Sequence, residues 1–338
     1  MKFIFFIFKY RFRRVALNNL LKKKKIKEFF LIDLTGPIKF YLIGIFFMVF
    51  DYLNLISRRF ILISCDAEPL IKKNGINLWF GGTSLKVPKK FQNLKNNCYV
   101  FENFYKKENN LINFAPTLIN KNNLKKNYKF IYISELKITN DKKIKEIWNK
   151  NKIKILKNFS IIEKKIFWKN NKFYNFYEIQ KGYIEIRNLI RLEVIKGLKK
   201  ILKKDLIVYG SSWKKYIADA KESNYEHGFT REAYKGNVCL DFGSKWASST
   251  FYPRSIEIIE NGGFLLQLRQ SDSEIMIGKF YKHITYNSLS ELKKIIKKIK
   301  NMDSNFFTKI VNSNEKKFQK INEKALKKIF NISKKIND

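Results

Sequence analysis

Histidine, cysteine and acidic residues are scarce in this chain of 338 residues, and their scarcity excludes several kinds of site. Two histidines cannot supply a histidine-rich metal centre. The three cysteines, Cys65, Cys98 and Cys239, are odd in number, widely spaced and without a C-x-x-C pair. This pattern predicts neither a disulfide framework nor a zinc site, and it favours a reducing, cytoplasmic compartment. No Asp-x-Asp triplet occurs, so we expect no bound metal. We expect no cofactor either.

Long apolar runs are also missing. Met1–Ile7 is apolar, but basic residues follow it instead of preceding it, which is the reverse of a secretory signal. The strongest run, Phe40–Phe50, ends at Asp51, whereas a membrane-spanning helix needs about 20 residues. Extended to Ile56, this run has three open interpretations. It could be a buried core helix, a helix lying in a membrane interface between basic flanks, or a true span.

The excess of basic residues is the largest imbalance in the composition. The chain has 69 Lys and Arg against 29 Asp and Glu, which gives a net charge of +40, and only 10 of the basic residues are arginine. The lysines are scattered along the chain, as compositional drift would leave them. Such a charge favours an anionic membrane surface as a partner. Nucleic acid is a weaker alternative, because no helix-turn-helix, zinc-finger or RNP-type motif accompanies the charge.

Short apolar strands that end in polar turns begin at Phe60. The first of them is followed by Asp66. The strands predicted in the N-terminal half lie at Phe60–Ile63, at Ile76–Phe80, around Tyr99 and at Phe130–Ile133. Residues 139–180 are rich in lysine and asparagine, with helical and unclear stretches that the pattern does not place in the fold.

Strands and helices alternate from residue 190 to residue 300, which predicts a mostly parallel sheet with helices on its faces. Ser288 and Glu291 form a capping box that predicts the start of a helix. An earlier helix is predicted by a stripe of apolar residues at Ile190, Val194, Leu198, Ile201 and Leu202. The predicted strands are Leu206–Tyr209, Val238–Phe242, Phe264–Leu266 and Tyr281–Tyr286.

Polar turns follow these strands, and one of them leads into a further helix. Pro253 is typical of a first helical turn, and Gly262-Gly263 would end that helix. In open α/β sheets ligands bind beyond the carboxyl ends of the strands. We therefore expect the site among these turns, with Tyr209, Asp241 and Arg254 around one cleft.

The run Tyr209-Gly210-Ser211-Ser212-Trp213, the strand Val238–Phe242 and the run Pro253–Leu266 occur together in this order. They resemble the C-terminal domain of GT-B glycosyltransferases, and most of all the spore-maturation-type glycosyltransferases. The pattern of that group is an arginine, two residues, a glutamate, several residues and then Gly-Gly before an apolar strand. Arg254 and Glu257 match it here. The resemblance covers about residues 187–300 and implies a nucleotide-sugar donor and a glycan or lipid-linked acceptor.

The chemistry of a nucleotide sugar suits these residues. A helix that begins near Arg254 offers free N–H groups to a diphosphate, and the arginine adds a planar charged fork. Ser249 and Thr250 would supply hydroxyls just before the helix. By resemblance, Glu257 would accept hydrogen bonds from the ribose. Trp213 or Tyr209 would cover the base.

The remaining candidates complete the predicted site. Gly210, Ser211, Gly262 and Gly263 are placed in the donor-binding set, and Asp66 or His227 would act as general base if the enzyme inverts. Many retaining GT-B enzymes carry two glutamates with seven residues between them, but Ser249 stands where the first would be. Stereochemistry therefore stays open, and so does a catalytically inactive binding domain.

Each candidate also has a structural interpretation. Glu257 could be an exposed helix carboxylate, and Arg254 a surface cation or the partner of that glutamate. Trp213 suits a core as well as a base platform, and a Gly-Gly pair serves any helix-to-strand turn. His227 could be a loop residue, and Asp66 a strand-end cap.

The sequence thus predicts an α/β, GT-B-like protein with two Rossmann-like domains built on parallel sheets, the N-terminal one reduced or irregular. The predicted divisions are a basic and apolar segment (1–59), an acceptor-side domain (60–186) and a nucleotide-sugar-binding domain (187–338). The predicted function is metal-independent glycosyl transfer to a cell-surface glycan or lipid-linked acceptor at the cytoplasmic face of the membrane.

Overall fold

The computed structural model forms two compact units, Met1–Leu118 with Phe318–Asp338, and Ile119–Lys317. The residues that the structure describes are 29–33, 49, 53, 61–65, 76–80, 98–101, 111–112, 127, 129–139, 141–223, 229–243, 253–270 and 273–334.

The first unit contains a sheet of five parallel strands in the order β1-β2-β3-β4-β5, so that the spatial order follows the chain order. Its strands are β1 (Phe29–Asp33), β2 (Ile61–Cys65), β3 (Ile76–Phe80), β4 (Cys98–Phe101) and β5 (Leu111–Ile112). The strands predicted at Phe60–Ile63, at Ile76–Phe80 and around Tyr99 are confirmed within one or two residues.

The second unit contains another sheet of five parallel strands, in the order β10-β9-β8-β6-β7. Its strands are β6 (Phe130–Ile133), β7 (Leu206–Tyr209), β8 (Val238–Asp241), β9 (Phe264–Leu268) and β10 (Thr285–Tyr286). Every residue of β6, β8 and β9 is buried, as expected for inner strands of a parallel sheet that is covered on both faces. The edge strand β7 instead alternates buried and partly exposed residues.

Helices follow the strands of the second sheet. They are α1 (Lys142–Lys157), α2 (Lys165–Asn170), α3 (Phe176–Leu202), α4 (Phe229–Tyr234), α5 (Pro253–Glu260), α6 (Ser273–Ile277), α7 (Tyr281–Ile284), α8 (Leu289–Lys300) and α9 (Ser304–Lys334), with single 3-10 turns at Phe159–Glu163, Lys203–Asp205, Ser211–Trp213 and Gly278–Phe280.

Local chemistry fixes several helix ends. The Ser288 hydroxyl accepts the Glu291 N–H at 3.1 Å, and the Glu291 carboxylate accepts the Asn287 N–H at 2.6 Å, so the predicted capping box starts α8. Asp141 caps α1 by accepting the Ile144 N–H at 3.2 Å.

The two parallel sheets and the helices between the strands of the second sheet confirm the predicted α/β class.

The division of the chain differs from the predicted one. The predicted boundary at 186/187 separates Phe130–Ile133 from the C-terminal strands, but β6 pairs with both β7 and β8 in the middle of the second sheet. The chain passes from the first unit to the second at 118/119 and returns to the first at 317/318, so residues 318–338 do not belong with the rest of the predicted 187–338 domain. The predicted 1–59 segment contributes β1, which pairs with β2 of the next predicted domain.

Two local predictions also need correction. The segment predicted as a strand at Tyr281–Tyr286 is mostly the helical turn α7, and only its last two residues join the sheet. In the apolar stripe of α3, Ile201 is half-exposed, while Ile195 is fully buried and takes its place in the core.

The Phe40–Ile56 run lies outside the described residues, apart from Val49 and Leu53. In the part of the chain that the structure describes, no helix combines the length and the apolar character needed to cross a membrane.

Candidate active site

The order of the second sheet reverses beside its first strand. After β6 the chain adds β7 on one side, and it then adds β8, β9 and β10 on the other. Such a reversal is the topological switch point at which open α/β sheets bind ligands, outside the carboxyl ends of the two strands concerned. The candidate site therefore lies beyond Ile133 of β6 and Asp241 of β8.

Glu135 stands just beyond the end of β6, and its carboxylate gathers four donors from the polar turns after β7. It accepts the backbone N–H groups of Ser211 and Ser212 at 3.1 Å each, the Ser212 hydroxyl, and the Ser223 hydroxyl at 3.3 Å. Burial alone would raise the pKa of this carboxyl, but the hydrogen bonds from Ser212, Ser211 and Ser223 outweigh it and hold the pKa below its ordinary value. Glu135 is therefore a fixed anion that ties the turn after β7 to the end of β6.

Gly210 begins that turn in close contact with the end of β6. Its φ is +138°, and a Cβ on it would lie 2.3 Å from the Ser134 carbonyl oxygen, so no larger residue fits. The Trp213 indole N–H donates to the same oxygen at 2.7 Å, and the Trp213 side chain is completely buried. This position favours the core interpretation of Trp213 over the predicted role of covering a base.

Tyr209, the last residue of β7, is partly exposed and lies at the carboxyl edge. Its ring packs against Phe229 with the centroids 5.0 Å apart, and burial raises the pKa of its hydroxyl. Ser211 is exposed in the adjacent turn. Both residues therefore lie at the carboxyl edge of the sheet.

A buried polar network joins the end of β8 to the start of α5. One oxygen of the Asp241 carboxylate accepts the Gly243 N–H at 2.9 Å, and the other accepts the Ser255 hydroxyl. The Gln267 amide of β9 in turn donates to the Ser255 oxygen at 2.7 Å. The first turn of α5 is thereby held against the carboxyl end of β8.

Arg254 and Glu257 flank Ser255 on α5, and both are partly exposed. Burial raises the pKa of the Tyr234 hydroxyl well above its ordinary value. The charge of Arg254 lowers this pKa, and the charge of Glu257 raises it. Arg254 stands beside the residue that binds Asp241, so the structure places it at the carboxyl edge. Tyr209, Asp241 and Arg254 all lie along that edge, although Asp241 is buried beneath it.

Gly262 and Gly263 lie at the other end of α5, just before β9 begins, and therefore at the amino edge of the sheet. A Cβ on Gly263 would lie 2.8 Å from the Ile258 side chain and 2.9 Å from the Cys239 sulfur. These glycines make the tight packing of helix against strand possible. Their position favours this structural role over the predicted contact with a donor.

Four predicted site residues lie outside the described residues. These are Asp66, His227, Ser249 and Thr250.

Two further residues at the strand ends, Glu135 and Arg191, are not among the predicted site residues. Glu135 had a usable signal, because it follows the predicted strand Phe130–Ile133 by two residues. Arg191 had none, because it is one of several charged residues along α3. Its guanidinium is buried and donates to the Gly243 carbonyl at 3.2 Å, so it fixes the chain where it leaves β8.

A cavity of about 410 Å³ opens at the opposite, amino edge of the same sheet. It is lined by Asn127, Lys129, Phe130, Asp205, Val238, Ile299 and Lys300. Because ligands of this fold class bind at the carboxyl edge, we place the candidate site there and not in this cavity. Among the described residues, no group of three His, Cys, Asp or Glu side chains is arranged to hold a metal.

No protein-family model and no curated protein matches this chain. A comparison with solved structures found the crystal structure of TarM, with 12% sequence identity and a TM-score of 0.41. The match covers 84% of this chain, which spans 57% of the length of that chain. At this level of similarity, the assignment of the site rests on the residues and strand order described above.

Proposed function

We propose that the protein transfers a sugar from a nucleotide-sugar donor to a cell-surface glycan or lipid-linked acceptor, without a metal ion. The observation that supports this most directly is the position of α5. Its first turn lies at the carboxyl end of β8, beside the switch point, and it carries Arg254 with Glu257 one turn further on.

In this proposal the diphosphate of the donor lies against the amino end of α5. The positive end of the α5 dipole and the Arg254 guanidinium would stabilise the negative charge that grows on the leaving diphosphate. Glu257 would accept hydrogen bonds from the ribose hydroxyls. The Asp241–Ser255 contact would hold α5 in place. The positive end of the helix and Arg254 would therefore already be in position when the donor binds.

The acceptor side of the reaction needs a group that removes a proton from the attacking hydroxyl if the configuration inverts. Asp66 and His227 remain the proposed candidates. Tyr209 and Ser211, at the end of β7, are proposed to contact the base or the sugar of the donor.

A thermal-shift panel of UDP, GDP, CMP and dTDP sugars tests the proposal. A donor present at about 100 times its dissociation constant should stabilise the protein by about 2.7 kcal/mol. Release of the free nucleotide from the stabilising donor should then be measured with glycan and lipid-linked acceptors. Stabilisation without release under any acceptor would favour an inactive binding domain, and no stabilisation by any donor would contradict the proposal.

A further inference from the structure

Residues 164–177 present an unusual surface on the second unit, formed by α2 and the turn into α3. Three large side chains in it are exposed to solvent: Ile166 by 58%, Tyr174 by 72% and Tyr177 by 81%. Single exposed apolar residues are ordinary, but several within one short segment mark an interaction site. We call this segment the 164–177 surface.

The 164–177 surface rests on a fixed base. Trp168 is buried, and its indole N–H donates to the Ile162 carbonyl at 2.6 Å. The Phe173 N–H donates to the Trp168 carbonyl at 2.9 Å, and the rings of Phe167 and Phe173 pack edge-on against Trp168. Among the described side chains of this segment, the buried ones are those of these three aromatic residues. The exposed tyrosines are therefore displayed by an ordered scaffold and are not needed to complete the core.

Positive charge accompanies the exposed tyrosines along the segment. The segment contains four lysines, all exposed, and no acidic residue: Lys164, Lys165, Lys169 and Lys172. Lys143 of α1 joins them, because its Nζ donates to the Lys172 carbonyl at 3.0 Å and lies 4.1 Å from the centroid of the Phe173 ring. Glu163 and Glu178 lie just outside the two ends of the segment and leave its excess of positive charge in place.

We propose that the 164–177 surface docks onto an anionic lipid bilayer at the depth of the headgroups. Tyrosine is suited to that depth, because its ring is apolar and its hydroxyl stays hydrated. Ile166 would enter the acyl boundary, while the lysines would lie along the interface with their ammonium groups among anionic headgroups.

The chemistry of the surface favours lipid over nucleic acid. All of its cations are lysines, which act as point charges suited to mobile headgroups, and the planar fork of arginine that binds a phosphate bidentately is missing from the segment. Ile166 could not stack on a base, but it gains from leaving water in a bilayer. The inference is independent of the proposed function, since docking requires no turnover.

Co-sedimentation of the full chain with vesicles tests the inference. The vesicles are phosphatidylcholine with or without phosphatidylserine. Binding should require phosphatidylserine and weaken with added salt, because charges are screened over about 10 Å at 0.1 M. Removing the surface lysines with K164Q, K165Q, K169Q and K172Q should weaken binding by about fivefold per lysine.

A matched variant removes four exposed lysines of α8 with K293Q, K294Q, K297Q and K298Q, and it should bind almost as the unaltered protein does. The double change Y174S and Y177S should weaken binding, whereas Y174F and Y177F should retain it because the rings stay apolar. I201S, which alters a half-exposed isoleucine elsewhere, is the control for lost apolar area. Thermal melting confirms that every variant is folded.

Three results would overturn the inference. The first is an equal loss of binding in the two lysine variants, which would make the attraction a property of net charge alone. The second is vesicle binding that ignores both the lysines and the tyrosines of the surface, or no binding at all. The third is a tyrosine variant that loses affinity for a single-stranded oligoribonucleotide but not for vesicles, which would assign the surface to RNA.

Discussion

At the scale of single residues, Glu135 shows how a polar side chain joins two strand ends. Its carboxylate receives donors from Ser211, Ser212 and Ser223, and these hold its pKa below the ordinary value. A carboxyl whose pKa is lower in the folded state binds fewer protons there than in the unfolded chain. It therefore contributes stability above its unfolded pKa, and this contribution is lost as the pH falls through its folded pKa.

The pH dependence of unfolding should reveal this contribution. Glu135→Gln keeps the shape of the side chain but removes the titrating group, so the free energy of unfolding should fall less steeply as the pH drops from the ordinary pKa of 4.5 downwards. Denaturant unfolding across this range, with the exposed Glu146→Gln as control, measures the difference. An unchanged acid slope in Glu135→Gln would show that the carboxylate does not secure the turn.

Ser255 gives a second prediction at this scale. Its hydroxyl donates to the buried Asp241 carboxylate and accepts from the Gln267 amide. Ser255→Ala leaves that carboxylate short of a donor, so the free energy of unfolding should decrease by about 1–3 kcal/mol. Ser304→Ala, at an exposed position, should have little effect. If urea unfolding finds the two variants equally stable, Ser255 does not hold α5 against β8.

At the scale of helices, α3 offers a matched pair of glycines. Gly182 faces Trp168, and a Cβ there would lie 2.6 Å from the Trp168 ring, whereas a Cβ on Gly197 would have no neighbour within 4 Å. Gly182→Ala should destabilise the protein by about 1–3 kcal/mol through overpacking. Gly197→Ala should stabilise it by about 1 kcal/mol, because alanine favours a helix. Thermal or urea unfolding measures the stability of the two variants. Equal effects of the two changes would contradict the close packing of α3 on Trp168.

The elements that local chemistry specifies could be predicted from the sequence. The strand Leu206–Tyr209 and the helix from Pro253 were found because an apolar run and a proline at the first helical turn act over a few residues. For residues 139–180 the sequence indicates helical stretches but not their bounds, although Ile144, Ile147 and Trp148 share one buried face of α1. The many lysines and asparagines between these apolar residues make their helical spacing hard to recognise in the sequence.

At the scale of the whole molecule, the division into units could not be read from the chain. Whether Phe130–Ile133 belongs to the first or the second sheet depends on pairing with Leu206–Tyr209 and Val238–Asp241, far along the sequence. The residues of an apolar strand do not indicate which distant strands it will pair with. For the same reason the strand rhythm indicated a parallel sheet but not its order, and the switch point became visible only in the structure.

The proposed site draws on that order, since it brings residues from separate parts of the second unit to one edge. Glu135 comes from the turn after β6, Tyr209 from β7 and Arg254 from α5. The amino edge carries different chemistry, with a salt bridge of 2.8 Å between Lys129 and Asp205. A charge removed at the carboxyl edge should therefore affect a donor far more than the same charge removed at the amino edge.

Calorimetric titration of the stabilising nucleotide into Arg254→Ala tests the central claim most directly, with Lys297→Ala, an exposed position in the last turn of α8, as the control for charge. If Arg254 binds the diphosphate, its loss should weaken nucleotide binding by about 1.5–3 kcal/mol, the range for a hydrogen bond to a charged group. Lys297→Ala should bind as the unaltered protein does, and Glu257→Ala should lose affinity for the sugar nucleotide but little for inorganic phosphate. Nucleotide affinity that survives in a folded Arg254→Ala would contradict the placement of the donor at the carboxyl edge of the second sheet.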